Sequence, residues 1–385
     1  MRRSAAEKLI AFFLLAGFAG LSLAFPQNPR IYKLEDQSEI LQKRWQQGLQ
    51  MAQTENYRDS YWMGYAITKV MPEDIYYFSW NGLVGRGHWR RSPTNPSLED
   101  LLFGRVKTID SEQKLKEYTQ EVLNRMEKND FPEVEKSVAV LFKQKPGSNE
   151  PEGICLCSLD FPFELENHPL IWLGDAGNQE SLELLWEMYL DFSAISLREE
   201  ALRAIGMHDA AEAVIPLLES VLNEAAEPEL REAAASELGD HNHSRAVELL
   251  LHTAMHDPSL EVREEAASAL EDIALPESVD ALINIARHAP DQSVREEAVQ
   301  ALGNKAAEKA GKELNRLANE ETETVRLQKK AIEALEDLDD DQGLPYLIQI
   351  ALKHKNPVLR KYAIQTLSDF QDPRALETLI EILKR

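Results

Sequence analysis

The sequence predicts a mainly α-helical protein, an α-α superhelix of six helix pairs and a capping helix that follows a small α+β domain. Two observations lead to this fold class. The pattern (L/V)-R-E-x-A-x-x-x-(L/I) recurs through the second half of the chain, and its first alanine returns at a nearly constant interval. A fixed period of about 32 residues is typical of a solenoid whose units bury their apolar faces only against their neighbours. The second observation is that residues before about 166 lack this period. The six marker alanines are Ala201, Ala234, Ala266, Ala298, Ala331 and Ala363.

The first 24 residues have the pattern of a secretory signal peptide. Arg2 and Arg3 precede an apolar run over 9–23, and small residues at Ser22 and Ala24 suit cleavage before Phe25. The apolar run is shorter than the roughly 20 residues that a transmembrane helix needs. We therefore expect a periplasmic or secreted protein with no stable membrane insertion after cleavage. The alternative is an uncleaved segment that anchors the chain.

Residues 25–165 are predicted to form the α+β domain, because aromatic and β-branched runs alternate here with helical patterns. Two such runs, 61–67 and 75–80, look like paired strands. The predicted helices are 38–53 and 111–128, and the further predicted strands are 134–142 and 153–160.

A basic, glycine-rich stretch over 82–93 stands out in this domain and is predicted to be a loop. It contains Arg86, Trp89, Arg90 and Arg91. One interpretation is a binding loop, in which the tryptophan anchors a partner and the arginines meet carboxylates or sulfates. The other is a hairpin tip whose basic residues pack against the acidic part of the same chain.

The two cysteines, Cys155 and Cys157, alternate along a predicted strand. Their side chains then share one face, with α-carbons nearly 7 Å apart, at or beyond the usual limit for a disulfide. Two half-buried thiols are the preferred interpretation. A strained redox pair or a shared metal is the alternative, although no second pair of ligands accompanies them.

Residues 166–385 are predicted to form the solenoid, with two amphipathic helices in each period. The second helices open with acidic residues, which the positive end of the helix dipole favours. Between Glu166 and Arg385 there are 44 acidic and 21 basic residues, so that −23 of the chain's net charge of −24 lies there. Such a field repels nucleic acid and anionic membranes and favours a basic protein or peptide partner.

From 178 to 385 the chain resembles the HEAT-like repeats of the phycobilisome-lyase type. The resemblance rests on the alanine and leucine rows, the arginine that opens each second helix, and turns such as Asp257-Pro258 and Asn356-Pro357. It implies that the arginines form a polar ladder inside the array. Unit five departs from the pattern, with Gln328 in the arginine position. The implied ladder residues are Arg198, Arg231, Arg263, Arg295 and Arg360.

Some proteins with repeats of this type are enzymes, but we predict neither of their two activities for this chain. The deoxyhypusine-hydroxylating relatives carry His-Glu pairs on their second helices, and the matching positions in this chain are Arg-Glu. Bilin lyase activity is also not expected, since export would separate the protein from such substrates.

Histidines and one acidic run are the remaining candidates for chemistry. His252 and His256 stand four residues apart, as metal ligands on a helix can, but they belong to an exposed polar row. His208 and His241 occupy equivalent positions in consecutive units, where packing is the preferred interpretation. The acidic run 336–341 lacks the glycine and the distal glutamate of a calcium loop, which favours a solvated turn.

These observations predict a non-catalytic exported scaffold or adaptor without cofactor or metal, whose oligomeric state the sequence leaves open. The alternative is a metal-dependent or hydrolytic enzyme with a site near His88, His168 or His208, in the first domain or at its junction with the first repeat. The predicted partner-binding residues are Glu199, Glu200, Glu264, Glu265, Glu296, Glu297, Lys329 and Lys330 in the solenoid, together with Arg86, Trp89, Arg90 and Arg91.

Overall fold

The computed structural model describes residues 30–34, 38–73, 75–80, 83–88, 97–103, 132–161, 165–166, 168–305, 307–338 and 342–384, with only the backbone described over 83–88. The predicted signal segment 1–24 and the predicted helix 111–128 lie outside these residues. Where the structure describes the chain, an N-terminal mixed sheet precedes a helical array.

Within the described residues, the sheet of the N-terminal domain has seven strands in the order β1-β7-β2-β5-β6-β3-β4. β1, β7 and β2 are parallel to one another, and the other neighbours are antiparallel. The strands are β1 (Ile31–Lys33), β2 (Tyr61–Pro72), β3 (Ile75–Trp80), β4 (Leu83–His88), β5 (Glu133–Gln144), β6 (Gly153–Ser158) and β7 (Leu170–Asp175).

The predicted pairing of the two aromatic runs is wrong, because β2 and β3 are not neighbours. β2 pairs instead with β5 over its whole length of 12 residues, from Tyr61 opposite Gln144 to Pro72 opposite Glu133. A partner of equal length satisfies more backbone groups than the six-residue β3 does. The predicted loop 82–93 also begins differently, since Leu83–His88 forms a strand against β3.

The strand β7 corrects the predicted boundary between the two domains. Residue 166 was the expected start of the solenoid, but Leu170–Asp175 lies between β1 and β2 in the sheet. Its first five residues are buried. A short apolar run that is covered on both faces suits a central strand with parallel neighbours. The helical array therefore begins at Asn178.

The two faces of the sheet are covered by different elements. One face packs against helix α1 (Leu41–Thr54) and the first helices of the array, and its core is continuous with that of the array. The other face holds Trp62, Trp172 and both cysteines, and it packs against the short helix α2 (Leu98–Phe103).

In the part of the chain that the structure describes, the array consists of six helix pairs and a final helix, as predicted. Each pair is called a unit here, numbered one to six along the chain, and all six marker alanines are fully buried. The pairs are α3 (Asn178–Asp191) with α4 (Ile195–Gly206), α5 (Ala211–Glu224) with α6 (Pro228–Gly239), α7 (Ser244–His256) with α8 (Leu260–Ala269), α9 (Pro276–His288) with α10 (Gln292–Gly303), α11 (Glu308–Asn319) with α12 (Val325–Asp337), and α13 (Leu344–Lys353) with α14 (Pro357–Leu367); α15 (Pro373–Lys384) follows.

The repeated arginines of units one to four form the polar ladder that the resemblance implied. Each pairs with an acid near the start of the next second helix, so that it links consecutive units. In unit five the amide of Gln328 donates to the carbonyl oxygen of Glu320 at 2.9 Å. In unit six Arg360 donates to the carbonyl oxygen of His354. The ion pairs are Arg198–Glu227 at 3.7 Å, Arg231–Asp257 at 2.8 Å, Arg263–Asp291 at 2.9 Å and Arg295–Glu323 at 2.5 Å.

Specific hydrogen bonds dock the sheet onto the first units. The hydroxyls of Tyr65 and Ser181 lie 2.8 Å apart and are buried. The ammonium of Lys69 donates to the carbonyl oxygen of Met207 at 2.9 Å and to Asp209 at 3.0 Å. Together with the continuous core, these bonds hold the N-terminal domain and the start of the array in one packed body.

The last helix exposes apolar side chains beside its polar ones. It is the predicted capping helix, but Leu376, Ile380 and Leu383 are 60%, 41% and 86% exposed. No helix within the described ranges is long and apolar enough to cross a membrane.

Candidate functional site

The second helices present two rows of charged residues, at the positions two and one before each marker alanine. We call these two rows the second-helix face. Consecutive second helices pack side by side, so the rows run across the units. The first row is Glu199, Glu232, Glu264, Glu296, Lys329 and Lys361, and the second is Glu200, Ala233, Glu265, Glu297, Lys330 and Tyr362.

The carboxylates of the first units lie close enough to affect one another's protonation. Burial and the nearby carboxylates of Glu265 and Glu199 raise the pKa of Glu232. Burial likewise raises the pKa of Glu199, and Arg203 lowers it in part. A cation placed on these rows would relieve this repulsion.

Two of the predicted binding acids are engaged inside the protein. Glu200 accepts a hydrogen bond from the backbone N–H of Ile154 in β6 at 2.6 Å, and burial raises its pKa. Glu296 is buried and forms an ion pair with Arg326 at 2.6 Å. The structure therefore places Glu200 at the junction with the sheet and Glu296 between units four and five.

A cleft of about 610 Å³ brings four of the predicted residues together where α10, α12 and α14 meet. The ammonium of Lys329 lies 5.2 Å from the centre of the Tyr362 ring, a cation–π contact. The phenol of Tyr362 donates to Glu333, and burial and this carboxylate raise its pKa to about 12. The cleft is lined by Glu296, Glu297, Val325, Arg326, Lys329, Lys330, Glu333 and Tyr362.

Sequence reasoning missed four components of this cleft, Val325, Arg326, Glu333 and Tyr362. The repeat period itself relates two of these residues to a predicted one. Tyr362 occupies the row position of Lys330 one unit later, and Arg326 stands one turn before that position. Aligning the rows through unit six would have identified Tyr362.

Two buried histidines lie at the junction between the sheet and the array. His208 is fully buried, and its Nδ1 lies 2.9 Å from the carbonyl oxygen of Ala204. Burial lowers its pKa to about 4. Burial also lowers the pKa of His241. Among the described residues, neither Nε2 atom has a hydrogen-bond partner. This environment keeps both imidazoles neutral.

The other candidate histidines lie apart from these. The rings of His252 and His256 lie with their centres 4.8 Å apart and their planes tilted by 57°. His168 lies 3.9 Å from Glu166, and the side chain of His88 is outside the described residues. In the part of the chain that the structure describes, no group of three or more His, Cys, Asp or Glu residues is arranged to hold a metal ion.

The cysteines and the basic stretch complete the predicted candidates. Cys155 and Cys157 are free and fully buried on one face of the sheet, and burial raises the pKa of Cys155. Only the backbone of Arg86 is described, in β4. Trp89, Arg90 and Arg91 lie outside the described residues, as does the 339–341 part of the acidic run.

Comparison with known proteins concerns the array. A family model described as HEAT repeats matches residues 215–303 and 312–385. No curated protein matches the chain. Similar solved structures include the CpcE–CpcF complex of phycocyanin lyase from Nostoc sp. PCC7120, at 23% identity over 40% of this chain and 98% of that chain, with a TM-score of 0.31. Human deoxyhypusine hydroxylase is 21% identical over 52% of this chain and 77% of its own, with a TM-score of 0.24. Kap121p bound to Nup53p is 15% identical over 49% of this chain and 22% of its own, with a TM-score of 0.33.

At these identities and TM-scores, the three structures carry no argument about activity. The assignment rests on the family match and on the repeat geometry, in which buried marker alanines and arginine ion pairs recur from unit to unit. The helical array, over residues 215–303 and 312–385, consists of HEAT-like repeats.

Proposed function

We propose that this protein is a non-catalytic exported scaffold or adaptor that binds a protein or peptide partner on its second-helix face. The observation that carries this proposal is a set of carboxylates that the protein itself does not neutralise. Among the described residues, Glu264, Glu265 and Glu297 form no ion pair, and each is partly exposed. Carboxylates at the same row positions elsewhere, Glu200 and Glu296, are engaged internally.

The charge of the array favours a basic partner. Stacked repeats present a long continuous surface, which suits a partner that contacts several units at once. Complementary charge speeds the encounter with such a partner and sets its position. The net charge of −24 acts against nucleic acid and anionic membranes.

The proposal of export is supported by the signal-peptide pattern over residues 1–24. It places the protein in the periplasm or outside the cell. N-terminal sequencing of the protein recovered from the cell envelope tests this point. A chain that begins at Phe25 supports cleavage, whereas one that retains residues 1–24 supports the anchored alternative.

Affinity capture from the cell envelope tests the binding role, with residues 25–385 as bait. The test variant carries Glu264→Lys, Glu265→Lys and Glu297→Lys on the second-helix face. The matched control carries Glu183→Lys, Glu212→Lys and Glu277→Lys, which change the net charge equally at exposed positions of first helices. Circular dichroism should show that both variants remain folded.

We expect a partner that binds the natural protein and the control variant but not the test variant. Direct titration of the purified partner should reproduce this order. Equal binding by the two variants would show that the second-helix face is not the binding surface. The absence of any specific partner for the natural protein would contradict the scaffold role.

A further inference from the structure

Two fields of opposite sign lie end to end on the second-helix face. Units one to four carry acids at these row positions, and units five and six carry cations. The sign changes within a single step, from Glu297 of unit four to Lys330 of unit five. The period explains the placement, because residues at equivalent row positions come from helices that pack side by side. The cations are Lys329, Lys330 and Lys361.

The cleft lies at this change of sign. Some of its charged side chains have an oppositely charged partner, and others do not. Arg326 is neutralised by Glu296 at 2.6 Å, and Lys330 lies 3.8 Å from Glu333. Within the described residues, the ammonium of Lys329 has no carboxylate within ion-pair distance and contacts the ring of Tyr362 instead. An aromatic ring beside an ammonium leaves the charge available to an incoming carboxylate.

We infer that the partner is an extended segment with a basic half and an acidic half. Its basic side chains lie over the acidic rows of units two to four, and an acidic side chain enters the cleft beside Lys329. This inference rests on the proposed function and adds the chemistry and the direction of the bound segment. The change of sign sets the direction, because the reversed segment would place like charges together.

The geometry of the array gives the spacing of the charges. Adjacent packed helices lie about 8–10 Å apart. An extended chain in the polyproline II form advances about 3.1 Å per residue with three residues per turn, so that every third side chain lies on one face. One unit therefore corresponds to about three residues of the partner. At these spacings a segment that covers units two to six spans about 13 residues. Its basic residues recur at every third position, and its acidic residues continue the same spacing.

A second copy of this chain is a weaker candidate for the same surface. It would offer both positively and negatively charged residues, but each copy carries a net charge of −24. Two such molecules repel each other over the rest of their surfaces. A short segment brings complementary charges without that repulsion.

Three synthetic peptides of this length test the inference by fluorescence anisotropy, with serine and glycine at the remaining positions. The first carries three lysines and then two glutamates at every third position, and the second has the reverse order. The third has the same composition with the two charges alternating. Because their net charges are equal, non-specific attraction to the acidic array is the same for all three. An all-lysine peptide of the same spacing is the reference, and the ionic strength is about 0.1 M to limit long-range effects.

We expect one of the two ordered peptides to bind at least tenfold more tightly than the alternating peptide. The double variant Lys329→Glu/Lys330→Glu should abolish this preference while binding the all-lysine peptide as tightly as before or more tightly. Equal affinities for ordered and alternating peptides would overturn the inference, while binding of the all-lysine peptide would still support the proposed function. If the all-lysine peptide also fails to bind, the proposed face is wrong as well.

Discussion

The buried ion pair between Arg231 and Asp257 provides the sharpest test of how the array is held together. The Nε and Nη2 groups of Arg231 donate to the two carboxylate oxygens at 2.8 and 3.0 Å. Its Nη1 donates to the carbonyl oxygens of Ala225 and Ala226 at 3.0 and 3.1 Å. The two side chains are only 9% and 6% exposed. One guanidinium thus joins the end of α5 to the turn after α7.

Replacing Arg231 by glutamine should be costly, because it leaves the carboxylate of Asp257 buried without its counter-charge. Removing one member of a buried pair costs about 3–5 kcal/mol. We expect the lower end, about 3 kcal/mol, since the backbone N–H of Ser259 still donates to Asp257 at 2.8 Å. Asp257→Asn should cost a similar amount, because it strands the guanidinium.

The double variant Arg231→Gln/Asp257→Asn should cost far less than the sum of the two. When one member of the pair has been replaced, the second replacement removes the remaining buried charge. The two amide side chains can then form neutral hydrogen bonds. We expect about 3 kcal/mol for the double variant and a coupling energy of about 3 kcal/mol. Unit five provides an internal precedent. Gln328 replaces the arginine there, and the turn before α14, His354-Lys355-Asn356, contains no acid.

Urea unfolding of residues 25–385, followed by circular dichroism at 222 nm, measures the four corners of this cycle. For a chain of about 360 residues, each kcal/mol corresponds to about 1–2 °C in Tm, so thermal unfolding provides a second measure. Arg245→Gln is the matched control. Its ion pair with Glu219 is exposed, so the unfolding midpoint should remain unchanged. Strictly additive single changes would refute the reasoning, because they would mean that the two charges do not stabilise each other.

Three further predictions concern packing, pH and the junction with the sheet. Gly239→Ala should destabilise the protein by about 1–3 kcal/mol, because the new Cβ would lie 2.8 Å from the carbonyl oxygen of Ala269; Gly177→Ala, with no atom within 4 Å, should not lower the urea midpoint. Stability should fall as pH decreases from 6.5 towards 4, because the unfolded chain protonates His208 while the folded chain keeps it neutral. The contribution of His208 to this loss reaches about 3 kcal/mol and should be absent in His208→Gln, which retains the contribution of His241, whose pKa burial also lowers. Urea unfolding at several pH values would reveal the difference. Glu200→Ala should cost about 1–2 kcal/mol and speed proteolysis at the junction, because the backbone N–H of Ile154 loses its acceptor, whereas Glu200→Gln retains one.

The rows of the array could be predicted, but not the roles of individual row residues. Glu200, Glu265 and Glu297 hold the same position in the repeated motif. Only the first is bound by the sheet, because unit one is the unit against which β6 packs. In the same way, Glu296 is buried because unit five supplies Arg326 as its counter-charge. A local pattern cannot distinguish residues whose difference comes from a distant neighbour.

The cleft also combines features that the sequence predicts with contacts that only the tertiary structure shows. Lys329 and Lys330 could be predicted from the sequence, because they stand at row positions where units one, three and four have acids. The cleft around these two lysines is enclosed in part by the phenol of Tyr362. A hydrogen bond from this phenol to Glu333 holds it beside α12. Such a contact joins residues 29 positions apart.

The sequence by itself determined the six helix pairs and the buried alanine rows, and its resemblance to HEAT-like repeats implied the polar ladder. These depend on contacts within one helix or between neighbouring units, and the nearly constant period of the motif records such contacts directly. Only the tertiary structure decided the order of the seven strands, the place of β7 in the sheet, and the docking of that sheet on the first units. These features bring together segments that are far apart in the chain. They therefore depend on which strands pair and which faces pack most favourably in the whole molecule.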